Sequence, residues 1–177
     1  MLITKVNDLV FDLERARNDV LHILQEYETN NGQLSLTHTP EAIESEKLYQ
    51  ATGSLYDSEN KVFKYSEADF TVFNDAFKHT YLYEIYKAVP NIGRFRIMVI
   101  DGPKCYTIHK DFTTRYHLVL QTNPHCYFVF PDNNEVLHIP ADGNLYLVDT
   151  IQHHTFLNGS REKRIHLVMD NLADYSR

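Results

Sequence analysis

The spacing of apolar residues changes character near Gly93. Ahead of it, Val6, Leu9, Val10, Leu13, Val20, Leu21 and Leu24 recur mostly at three- and four-residue steps, with charged and amide residues between them. That spacing predicts an amphipathic helix over residues 5–28, ended by the turn-forming run Glu28-Thr-Asn-Asn-Gly32. A short strand is expected over 33–38. Residues 39–67 are polar and irregular, with a turn at Gly53-Ser54. A stretch of that length fits an active-site lid, or a surface loop clamped by Tyr49, Leu55, Tyr56 and Tyr65. A second helix is predicted over 67–89, where Phe70, Phe73, Phe77, Tyr81 and Ile85 form one stripe and Pro90 and Gly93 close the element.

Beyond Gly93 the period becomes that of short strands. Runs at 94–100, 105–108, 115–121, 126–130, 136–139, 145–149, 153–157 and 165–169 are separated by Asp101-Gly102-Pro103, Asn123-Pro124, Pro131-Asp-Asn-Asn134, Ala141-Asp-Gly143 and Asn158-Gly-Ser160. Strands so punctuated suggest a sandwich or barrel, here a jelly roll. The expected fold is mainly β with N-terminal helices that buttress one outer face. The chain reads as a single domain over 1–177, with a helical and irregular part at 1–92 packing on a β core at 93–177.

Composition narrows the function. A chain of 177 residues can bury a sizeable core, and a net charge of −7 disfavours a general nucleic-acid binder. Apolar runs of about five residues fall far short of a membrane span, and the N-terminus carries no secretory pattern. Cys105 and Cys126 read as buried free thiols in a reducing compartment, so a cytoplasmic location is expected.

The candidate chemistry starts at His109-Lys110-Asp111. On a strand, residues i and i+2 share a face, so an imidazole and a carboxylate would point the same way. With a second, distant His, such a pair makes the two-His-one-carboxylate triad of non-haem Fe(II) sites. Alone, the tripeptide equally fits the cap of a polar turn. Its companions strengthen the metal reading. His154 follows 45 residues after His109, and Arg164 follows ten residues after His154. An Arg directed into an apolar barrel calls for an anion, and its planar fork suits a carboxylate. Arg115 and His117 share a face on the strand after the His-X-Asp. His153 competes with His154 for the ligand role. Asp149 is either a partner of a ligating imidazole or a strand end, and Asn158 either touches the pocket or turns the chain. His125, His138 and His166 read as surface or hydrogen-bonded core imidazoles, although His166 shares a strand face with Arg164.

This ordered set (His109-X-Asp111, Arg115-Tyr-His117-Leu, Gly143 before a strand ending in Asp149, His154-x3-Asn158, Arg164 and Asp170) resembles the aspartyl/asparaginyl β-hydroxylase-like family over roughly 94–171. The resemblance implies an Fe(II)- and 2-oxoglutarate-dependent oxygenase with a double-stranded β-helix, cupin-like core. It implies that His109 and His154 ligate iron beside Asp111, that Arg164 binds the distal carboxylate of 2-oxoglutarate, and that Arg115 and His117 line the co-substrate pocket. The peptidyl aspartyl hydroxylase of that family has Gly where this chain has Asp111, so the chain resembles more closely the full-triad relatives, which include hydroxylases of free proline. The expected reaction is hydroxylation of an amino acid or peptidyl side chain with O2. Two other readings are a cupin-type metalloenzyme without 2-oxoglutarate, and a non-catalytic β-sandwich that binds a small anion or a protein.

Overall fold

A computed structural model describes residues 1–175. In chain order the elements begin with β1 (Ile3–Val10), α1 (Leu13–Glu26), β2 (Gln33–Ser35) and β3 (Thr37–His38). A hairpin of β4 (Tyr56–Asp57) and β5 (Val62–Phe63) follows, then β6 (Val72–Phe73) and α2 (Tyr81–Ala88). The β core comprises β7 (Ile92–Ile100), β8 (Lys104–Cys105), β9 (Arg115–Gln121), β10 (Cys126–Phe130), β11 (Glu135–Leu137), β12 (Asn144–Val148), β13 (Thr155–Asn158) and β14 (Arg164–Asn171).

Two antiparallel sheets face each other. The larger runs β1-β12-β9-β14-β7-β2 and the smaller β11-β10-β13-β8. This is the expected jelly roll, and β9 and β10 occupy the predicted 115–121 and 126–130. The central strand β14 shows how the layers are built. Its Ile165, Leu167 and Met169 pack outward with Ala16, Val20 and Ile23 of α1 and Leu82 and Ile85 of α2. Its alternate residues Arg164, His166, Val168 and Asp170 face inward, as the two-residue period requires. Both faces are covered, so every residue of the strand is buried. Between the sheets, Ile100, Val119 and Val148 meet Cys126, Phe128, Phe130 and Phe156.

The N-terminal half departs from its predicted helices in two places. Residues 3–10 form β1, an edge strand on β12, and the helix begins only at Leu13, capped by the Asp12 carboxylate accepting from the Arg15 backbone N–H. The pairing of β1 slips between Lys5 and Val10, and Asp8 takes a left-handed φ of 62°. This bulge breaks the two-residue alternation, so Val6, Leu9 and Val10 mimic helical spacing. Strands β1 and β2 thus extend the large sheet at both edges. Over 67–89 only Tyr81–Ala88 is α-helix. Ser66 and Asn74 each accept a backbone N–H with their side chains and start separate 3-10 turns. The aromatic stripe is still buried, Phe70 beneath the 39–67 segment and Phe73 and Phe77 in the main core. Both cysteines are free thiols, but Cys105 is exposed because β8 is the short edge strand of the small sheet. Among the described residues no helix is long and apolar enough to cross a membrane.

Candidate metal and co-substrate site

Between the sheets lies a cavity of about 530 Å³, lined from both sheets and from the 53–67 segment. At its mouth the two candidate His residues sit side by side. His109 and His154 exchange backbone hydrogen bonds in an isolated antiparallel bridge (N–H to O=C, 3.0 and 2.9 Å), which places their rings 4.5 Å apart. Asp111 is held by its backbone N–H donating to the Thr150 carbonyl, while the Thr150 hydroxyl donates to the Thr113 carbonyl. One donor atom from each of His109, Asp111 and His154 lies within 4.8 Å of the others.

Hydrogen bonding selects the tautomers. Nδ1 of His109 lies 2.8 Å from the Thr107 carbonyl, and Nδ1 of His154 lies 3.0 Å from the Gln152 carbonyl. A carbonyl only accepts, so Nδ1 carries the proton in each ring and Nε2 keeps its lone pair. Both Nε2 atoms face Asp111, at 3.5 Å from Oδ1 and 3.6 Å from Oδ2. Burial lowers the pKa of His154, which favours the neutral, ligating form. The buried Asp111 Oδ2 has no hydrogen-bond partner. Two oriented imidazoles beside a carboxylate with one orphaned oxygen fit a divalent metal ion. His153 faces away from this group and pairs with Asp132 at 2.7 Å.

Arg164 stands deeper in the cavity, with 2% of its surface exposed. Its guanidinium lies 3.9 Å above the Phe156 ring and donates from Nη2 to His166 Nδ1 at 2.5 Å. Among the described residues no carboxylate pairs with it, and its Nε has no partner. Burial lowers its pKa to about 9. His117 Nδ1 reaches His166 Nδ1 at 3.2 Å, and the Nε2 atoms of both rings are buried without partners. Burial, then the Arg164 charge, pushes both imidazoles well below 6.5, so both are neutral at neutral pH. The hydrogen-bonded core role expected for His166 therefore places it against Arg164.

Arg115 borders the same cavity, but its guanidinium is committed to acids. It lies 3.0 Å from Asp111 Oδ1, 3.2 Å from Asp170 Oδ1 and 3.5 Å from Glu67 Oε1. Burial opposes its charge, but these carboxylates more than compensate and raise its pKa. Arg115 thus orients Asp111, whereas His117 lines the pocket toward Arg164. Asp170 is buried, which by itself would raise its pKa, yet Arg94, Arg115 and Arg96 together hold it well below the usual carboxylate range. Glu67 also binds Arg94 at 3.3 Å and accepts from the Thr113 hydroxyl at 2.7 Å. Asn158 accepts from Asn123 and the Ser160 backbone and donates to the Glu162 carbonyl, so it ties the turn before β14. The Asp149 backbone brackets the start of the triad loop, accepting from the Gln152 N–H.

Solved structures with the same architecture include a prolyl-4-hydroxylase from Pseudomonas putida, with a TM-score of 0.51 and 12% identity over 96% of this chain and 92% of that one. A second is the viral collagen prolyl hydroxylase of Paramecium Bursaria Chlorella virus-1 in its 2-oxoglutarate complex, with a TM-score of 0.50 and 10% identity over 96% of both chains. No match was found among curated proteins. Residues 82–173, more than half of the chain, match the family described as aspartyl/asparaginyl beta-hydroxylase. The chain belongs to the aspartyl/asparaginyl β-hydroxylase family.

Proposed function

We propose that this protein hydroxylates an amino acid or peptidyl side chain, with Fe(II) held by His109, Asp111 and His154 and with 2-oxoglutarate anchored by Arg164. The observation that carries the reading is the pairing of two unsatisfied groups within one cavity. One is the triad, with both Nε2 lone pairs turned toward the Asp111 carboxylate, whose Oδ2 is orphaned. The other is a buried guanidinium lacking an acid. Fe(II), when bound, would supply the coupling of oxidative decarboxylation of 2-oxoglutarate, which yields succinate and CO2, to hydroxylation of a substrate C–H bond.

The chain's own residues have separable tasks. The Thr107 and Gln152 carbonyls fix the ligand tautomers. Arg115 holds Oδ1 of Asp111, the oxygen beside His109, and leaves Oδ2 unpartnered beside His154. Arg164 would take the far carboxylate of 2-oxoglutarate, with the neutral pair His117 and His166 beside it. Phe128 and Phe156 wall this end and keep water out, which strengthens each charged contact. The β4–β5 hairpin contributes Tyr56 and Phe63 to the mouth, where Phe63 meets Phe112 edge-on at 5.2 Å. That placement supports the 39–67 segment as a substrate lid.

The test is direct binding of Fe(II), then of 2-oxoglutarate, to wild type, Asp111→Ala and Arg164→Ala under anaerobic conditions. Asp111→Ala is expected to weaken iron, and Arg164→Ala to weaken 2-oxoglutarate while iron still binds. Iron affinity unchanged in Asp111→Ala would remove the triad from the proposal. 2-Oxoglutarate binding that ignores Arg164 would favour a cupin-type metalloenzyme without that co-substrate.

A further inference from the structure

The cavity is larger than its iron and co-substrate end, and its remaining part carries its own chemistry. On the inner face of the large sheet, His117, Val168 and Arg96 are register partners across β9, β14 and β7. Arg96 therefore lies on the opposite side of β14 from His117, next to β2 and to the base of the 53–63 hairpin segment. It is 2% exposed. Its Nη2 donates to Asp170 Oδ1 at 3.2 Å and its Nη1 to Gln33 Oε1 at 3.3 Å, while its Nε has no partner. Arg94, two residues earlier, is fully engaged by Asp170, Glu67 and the Gly53 carbonyl. Of the two arginines on β7, Arg96 is the one with a buried donor to spare among the described residues; Arg115 across β14 also has an unpartnered Nε but is within 3.0–3.5 Å of three carboxylates.

Charge makes the same point. The enclosed part of the cavity holds four guanidiniums (Arg94, Arg96, Arg115, Arg164) against three carboxylates (Glu67, Asp111, Asp170). His117 and His166 are neutral. A divalent metal and a dianionic co-substrate cancel one another, so one positive charge stays uncompensated in a water-poor space. Burial, together with the Arg94 charge, lowers the pKa of Arg96 to about 9, the mark of a cation short of anionic partners. A buried unpaired charge is costly unless an anion arrives to meet it.

We infer that the substrate is an anion whose carboxylate is held by Arg96, in the compartment between β7, β2 and the β4–β5 hairpin. This rests on the reading that Arg164 is taken by 2-oxoglutarate, which leaves Arg96 for the substrate. Gln33 connects the compartment to the lid, because its Oε1 accepts from both Arg96 Nη1 and the Gly53 backbone N–H. A carboxylate that competes for Arg96 thereby acts on the segment leading to Tyr56 and Phe63. The aromatic side chains at the mouth then cover the apolar part of the substrate.

The experiment measures binding calorimetrically to anaerobic protein loaded with Fe(II) and 2-oxoglutarate. Its probes are the proteinogenic L-amino acids, the amide of each that binds, and a blocked tripeptide with central Asp beside its Asn counterpart. A free amino acid that binds at least about tenfold better than its amide supports an α-carboxylate. An Asp peptide preferred over the Asn peptide by that margin supports a side-chain carboxylate on the same Arg. In either case Arg96→Met should lose at least about tenfold in substrate affinity, and Arg96→Lys should recover part of it, while 2-oxoglutarate affinity stays within about threefold of wild type. Binding indifferent to amidation, binding unaffected by Arg96→Met, or no carboxylate bound at millimolar concentration overturns the inference. If 2-oxoglutarate binding itself fails, or ignores Arg164, the function proposed above falls instead.

Discussion

Replacing Arg164 by Met should stabilise the unliganded protein while abolishing its response to 2-oxoglutarate. The guanidinium is buried without an acid, and burial lowers its pKa from the ordinary arginine value to about 9. At about 1.4 kcal/mol per pKa unit, the charged form carries a penalty of roughly 4–5 kcal/mol. Met fills similar volume with no charge to desolvate. The change forfeits the stacking over Phe156 and leaves His166 Nδ1 without its donor, at a cost of about 1–3 kcal/mol. The balance is a gain of about 1–4 kcal/mol, or about 2–16 °C in Tm for a domain of this size. In wild type, 2-oxoglutarate at 100 times its Kd should add about 2.7 kcal/mol. The variant should lose about 2–5 kcal/mol of binding energy, so the same concentration should add less than about 1 kcal/mol. Thermal unfolding of Fe(II)-loaded anaerobic protein, with and without 2-oxoglutarate, reads both quantities. A variant less stable than wild type when unliganded, yet shifted equally by 2-oxoglutarate, would refute the reasoning.

Asp170→Asn should destabilise the fold by about 3–5 kcal/mol in denaturant titrations at neutral pH, because it leaves three buried guanidiniums short of an acid. The pH dependence has a definite sign. Asp170 has a depressed pKa in the folded state, so its contribution is fully present above the ordinary value of 3.8 and is lost as pH falls below it. The stability difference between wild type and Asp170→Asn should therefore be flat from pH 7 to about 5 and shrink below about 4. Arg115→Met should weaken Fe(II) affinity about 10- to 100-fold by releasing Asp111, with a smaller effect on 2-oxoglutarate affinity once iron is saturating. Phe63→Ala should raise KM for the substrate and leave co-substrate affinity near wild type, because Phe63 covers the mouth and Arg164 lies at the far end.

What the sequence revealed and what it hid have physical reasons. The core strands were legible because turn residues separate them and β-rich runs such as Arg115–Gln121 carry the expected period. The grouping of His109, Asp111 and His154 was legible because His-X-Asp is local in sequence, and the burial of Arg164 because it sits in a strand of Val, Leu and Ile. Edge strand β1 was hidden because its bulge at Asp8 imitates helical spacing. The short helix α2 was hidden within a longer aromatic pattern that separate capped turns also bury. Glu67 and Arg96 were missed because their partners lie on other elements, in contacts that exist only once the sheet registers are set. One signal for them was available. The alternation Arg164, His166, Asp170 against Ile165, Leu167, Met169 already marks a polar inner face that would require countercharges from neighbouring strands.

The central claim is best tested by the conversion of 2-oxoglutarate to succinate by purified protein with Fe(II), ascorbate and O2, across free amino acids and peptides. The account predicts succinate that requires both Fe(II) and O2, rises with at least one carboxylate-bearing substrate, and disappears in Asp111→Ala and His154→Ala. Succinate release that persists in both variants, or its absence with every substrate despite intact binding of Fe(II) and 2-oxoglutarate, would contradict it.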